Sequence, residues 1–277
     1  MKVVIETSVL ISGSIFWRHT DEQGITYEVC DTHMPVCSAL FDILRKLSAV
    51  ELEVGVVTKT VEEEARDTLD KAVGNVISQS RFYSLEVRHK VMTLQHIIAN
   101  ECLDKMDLMM EETSHRLPIR RPERQWIIER ELRPFFRQVV NKTLRYVQPP
   151  IPSLVKDGDL RNELADIMVK TIPARGVIYK GFPDERDLVI MAEATLIFRK
   201  YRRKEKIYVA SRDKHFIPNP VQVGSYLTGR TKYTGELDPT VRDDVAKRFG
   251  FIGEHPDKVI DILKTTYARE LAPIENQ

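Results

Sequence analysis

An α/β fold built on a parallel sheet, interrupted by a long helical stretch, is what this chain of 277 residues predicts. Three observations carry that expectation. Short apolar runs at Val3-Val4-Ile5, Leu52 to Val57 and Lys206 to Ala210 have the continuous character of strands buried on both faces. Each run leads into hydroxyl and acidic residues: Glu6-Thr7-Ser8, then Thr58 to Glu64, then Ser211-Arg212-Asp213. From about Val73 to Ala174, by contrast, the pattern is helical and contains no convincing strand.

Composition sets the outer bounds. With 42 Lys+Arg against 41 Asp+Glu the net charge is +1, so any attraction to nucleic acid must come from a local basic footprint. No apolar run approaches the ~18 residues of a membrane span, and the N-terminus lacks a signal-peptide pattern. A cytoplasmic protein with no membrane partner is expected, with Cys30, Cys37 and Cys102 as reduced thiols. Cys30, His33 and Cys37 form a C-x2-H-x3-C cluster, but only the distant His19 offers a fourth ligand, so it does not read as a zinc site.

The elements follow in order. Val3 to Ile5 is the first strand. In an open α/β sheet, ligands sit beyond the carboxyl ends of parallel strands, which is where Glu6, Thr7 and Ser8 fall. Phe16 to Pro35 reads as irregular, with Ile25 to Val29 as an edge strand and Phe16 and Trp17 as packing residues. Val36 to Leu47 is a helix with Leu40, Ile43, Leu44 and Leu47 at helical spacing. After the strand Leu52 to Val57, Thr58 or Thr60 caps a helix whose buried stripe is Val61, Ala65, Leu69 and Ala72. Dipole compensation accounts for Glu62 and Glu63, whereas Glu64 lies nearer the stripe.

Phe82 to Met110 and Gln125 to Tyr146 are long amphipathic segments, Gln148 to Ser153 is a break, and Leu160 to Val169 is a third helix. Residues 76–174 thus read as a helical insertion within one discontinuous domain of residues 1–75 and 175–277. In the second segment Gly176 to Tyr179 is strand or loop. A helix opens at Pro183 and runs to about Tyr201, and Lys206 to Ala210 is a strand. Phe249 to Gly253 is a last short strand, and Pro256 to Tyr267 closes the chain with Val259, Ile260 and Leu263 inward.

Four acids thereby occupy equivalent ends of the predicted sheet: Glu6, Glu64, Asp187 and Asp213. Carboxylates grouped without histidine or thiolate suit hard cations such as Mg²⁺ or Mn²⁺, which keep waters and take up phosphate oxygens. Two such ions ~4 Å apart clamp the attacking and leaving oxygens of a phosphodiester.

The order of these motifs resembles the PIN-domain family of metal-dependent ribonucleases. The matching residues are Val4 to Leu10, Thr58 to Ala65, Asp187 to Ala194, Val209 to Phe216 and the closing helix from His255 to Ile260. The resemblance covers roughly residues 1–71 and 180–271. It implies a three-layer α/β/α fold, Rossmann-like, around a central parallel sheet. It also implies an acidic pocket on Glu6, Glu64, Asp187 and Asp213 that hydrolyses RNA with Mg²⁺ or Mn²⁺. Glu6, Asp187 and Asp213 would hold metal, and Thr7, Ser8 and Ser211 would support the pocket by hydrogen bonding. The chain departs from the family at Glu6, where the first acid is usually Asp. It also carries His215 where many members have a further Asp, and Asp184 is placed to supply a replacement carboxylate.

The insertion carries the local basic excess. From His115 to Arg145, nine Arg and Lys stand against three Glu, a local charge of about +6. Arg120, Arg121, Arg124, Arg130, Arg133 and Arg137 favour bidentate phosphate contact, and Trp126, Phe135 and Phe136 are interleaved to stack on bases. Arg212 and Lys214, beside Asp213, join the candidate RNA-binding set. The chain therefore reads first as an endoribonuclease of RNA processing or turnover, with a toxin of a toxin–antitoxin pair as a subtype. The alternative is a catalytically weakened PIN-like module that binds RNA or a protein partner; a second copy of the chain is a further candidate partner. No Gly-rich nucleotide loop is present.

Overall fold

The computed structural model describes residues 1–79, 85–113, 185–201, 205–213, 216 and 249–272. They fall in a mixed α/β fold with parallel strand pairing flanked by helices. The chain divides into two compact units. One comprises Lys2–Leu117 and Pro256–Gln277; the other comprises Met1 and Pro118–His255.

The first unit is built around strand β1 (Lys2–Ile5), whose residues are all buried. It pairs in parallel with β4 (Gly55–Val56), Val3 opposite Gly55 and Val4 opposite Val56. A parallel pair needs a long crossover connection. Here it contains helix α1 (Thr7–Ser14), strands β2 (Phe16–Thr20) and β3 (Thr26–Cys30), and helix α2 (Met34–Ala49). Every residue of α1 except Ser8 is buried. A helix enclosed on all sides shows no amphipathic stripe, so the sequence pattern does not announce it. Gly13 permits the close approach of α1 and α2: a Cβ there would lie 2.2 Å from the Phe41 ring.

Strands β2 and β3 form an antiparallel ribbon where an irregular stretch with one edge strand is expected. Only Trp17 and Val29 are buried, and they face each other across the ribbon, so alternation is confined to a single cross-strand pair. Around them the ribbon is held by polar pairs, Arg18 with Glu28 and Thr20 with Thr26. The Asp21 carboxylate closes the turn by accepting from the Gln23 and Ile25 amides, with Gly24 at a φ of +76°.

Leu40, Phe41, Ile43, Leu44 and Leu47 form the buried face of α2. Helix α3 (Lys59–Gln79) starts where Thr58 Oγ1 accepts from the Val61 amide, and it buries Val61, Ala65, Leu69, Val73 and Ile77. Helix α4 (Leu85–Thr113) packs on α1, α2 and α3 through Ile98, Cys102, Met106 and Met110. Its end lies against β4, where a Cβ on Gly55 would stand 2.6 Å from the Thr113 carbonyl oxygen. Helix α6 (Pro256–Thr266) lays Val259, Ile260 and Leu263 on α2, and α7 (Ala268–Leu271) follows.

In the second unit, β5 (Ile207–Ala210) and β6 (Phe251–Glu254) pair in parallel from Ile207–Phe251 to Ala210–Glu254. Helix α5 (Glu185–Lys200) covers them with Val189, Ile190, Ala194 and Ile197 buried. The pairing continues past β5, where the Ser211 amide donates to the Glu254 carbonyl at 3.1 Å. The Met1 ammonium closes an ion pair with Glu205 at 2.8 Å. Among the described residues no helix is long and apolar enough to cross a membrane. The expected helices at Gln125 to Tyr146 and Leu160 to Val169, and the expected strand or loop at Gly176 to Tyr179, lie outside the described residues.

Candidate active site

Glu6 follows β1 and is the N-cap of α1, with an extended backbone (φ −83°, ψ 159°). Caps are usually short Ser, Thr, Asp or Asn side chains whose oxygen reaches an amide two or three residues on. Here the longer Glu does the same work. Oε1 accepts from the Ser8 amide at 2.9 Å, and Oε2 accepts from the Ser8 hydroxyl. One residue thus fixes both carboxylate oxygens, and Glu6 is only 4% exposed.

Between these two, Thr7 points elsewhere. Its hydroxyl donates to Glu64 Oε2 at 2.6 Å, joining residues 57 positions apart. The acidic triplet of α3 is therefore divided by role. Glu62 faces Arg66 and Glu63 faces Lys59, each at 3.6 Å on the helix surface, where such pairs contribute little. Glu64 is half-buried and turned toward α1. Helical spacing in the sequence leans toward Glu64 without deciding between it and Glu63. The Thr7 contact has no such signal, because nothing local links positions so far apart.

In the second unit, Asp213 lies just past β5. The Asp213 amide donates to Ser211 Oγ at 2.8 Å, and the Phe216 amide donates to the Asp213 carbonyl at 3.1 Å, which makes a tight turn out of the strand. Ser211 is fully buried, while Arg212 and Asp213 are half-buried. Asp187 is half-buried in the first turn of α5. Further along that helix Glu193 is only 1% exposed, on the face that also buries Ile190 and Ile197.

Asp184, Lys214, His215 and the basic set Arg120, Arg121, Arg124, Arg130, Arg133 and Arg137 lie outside the described residues. Among the described residues, no three His, Cys, Asp or Glu side chains form a metal-holding group. In donor chemistry the candidate acids are carboxylates, two of them, Glu6 and Glu64, accepting from hydroxyls, and such oxygens suit a hard cation and not zinc or copper. None of the three cysteines is in a disulfide. Burial pushes the Cys102 thiol up to about 11, so it is protonated and a poor nucleophile at neutral pH. Cys30 is exposed and Cys37 buried.

The chain matches no family model, and neither a characterised relative nor a solved structure is found to be similar to it.

Proposed function

We propose that this protein is a PIN-like endoribonuclease that hydrolyses RNA phosphodiester bonds with Mg²⁺ or Mn²⁺, using Glu6, Glu64, Asp187 and Asp213. The observation that supports this best is the first turn of α1. Consecutive residues there hold two carboxylates of distant origin, Ser8 holding Glu6 and Thr7 holding Glu64. Carboxylates brought together in one pocket would repel one another, and a cation between them would offset the repulsion. Bound there, such a cation polarises a phosphodiester oxygen and makes water a stronger nucleophile near neutral pH.

The chain's own residues supply the rest. Ser8 and Thr7 orient two of the ligands before substrate arrives, which removes part of the ordering cost from the reaction. In this reading Asp187 and Asp213 complete the acidic set, with Asp184 as a further ligand. The arginine-rich stretch from Arg116 to Arg145 provides phosphate contacts, and Arg212 and Lys214 act close to the cut bond. An RNA-processing or turnover substrate fits the size of that stretch.

A second reading, a module that binds RNA or protein without cleaving, is favoured by one feature. Both Glu6 oxygens already accept hydrogen bonds from Ser8, as a purely structural cap would. A cleavage assay separates the two. Single-stranded, hairpin and tRNA-like RNAs are incubated with the full chain and Mn²⁺ or Mg²⁺. Cleavage that EDTA stops and Glu64→Gln lowers by about 100-fold is expected, since a carboxylate of the catalytic set contributes several kcal/mol to the reaction. RNA bound but uncut by the parent under every metal points to the binding module instead.

A further inference from the structure

We draw no further inference here: the strongest candidate, the exposed face of helix α4 that carries Ile97 and Leu108 with the acids Glu101 and Asp104 between them, carries nothing, because nothing in the structure shows what covers it.

Discussion

Asp213→Asn should lower Mn²⁺-dependent RNA cleavage by at least about 100-fold while leaving the fold intact. The substitution removes a negative charge and keeps the shape. The hydrogen bonds that make the turn after β5 use the backbone of residue 213: its amide donates to Ser211 Oγ at 2.8 Å and its carbonyl accepts from the Phe216 amide at 3.1 Å. Both survive in the asparagine variant. A single-turnover cleavage assay beside a thermal melt separates the two consequences. The melting temperature is expected to stay within a few degrees, on the order of a 1 kcal/mol change. Cleavage by the variant at the parent's rate would remove Asp213 from the reaction.

Gly253→Ala should be strongly destabilising. A Cβ at 253 would stand 1.4 Å from the carbonyl oxygen of Phe216. The obstacle is backbone and cannot rotate aside as a flexible side-chain end can, so β6 or the turn from Asp213 to Phe216 must move. Overpacking of well-filled sites costs about 1–3 kcal/mol, and a backbone obstacle places this variant at or beyond the upper end. Because the displaced turn carries Asp213, cleavage should fall along with stability. Urea unfolding measures the first and the RNA assay the second; a variant as stable as the parent would mean that the close approach is relieved without cost.

The strands were legible where burial is complete. Val3-Val4-Ile5 and Ile207 to Ala210 are β-branched or apolar throughout and buried throughout, so composition and environment agree. Helices α2 and α6 were legible for a different reason: each buries one face, and Leu40-Ile43-Leu44-Leu47 and Val259-Ile260-Leu263 trace it. Helix α1 was not, because it is enclosed on nearly every side and its residues carry no period to read. The ribbon β2–β3 escaped because one buried pair, Trp17 and Val29, is too little alternation to show.

The site divides along similar lines. The spacing of Glu64 from Val61 and Thr68 favoured it over Glu63 without deciding between the two. The hold of Ser8 on Glu6 was partly legible, since a hydroxyl beside a strand-end acid invites a hydrogen bond, but the double contact depends on the backbone turning into a helix at residue 7. The bond from Thr7 to Glu64 is a product of packing α3 beside α1 and has no local signature.

The most direct measurement is Mn²⁺ uptake by the full chain, followed by the loss of the free-ion signal in electron paramagnetic resonance. Saturable uptake is expected, weakened in both Glu6→Gln and Asp213→Asn, each of which removes a carboxylate of the proposed metal-holding set. A free-ion signal that the parent leaves undiminished, or uptake equal in the parent and both variants, would contradict a divalent-cation site built on these acids.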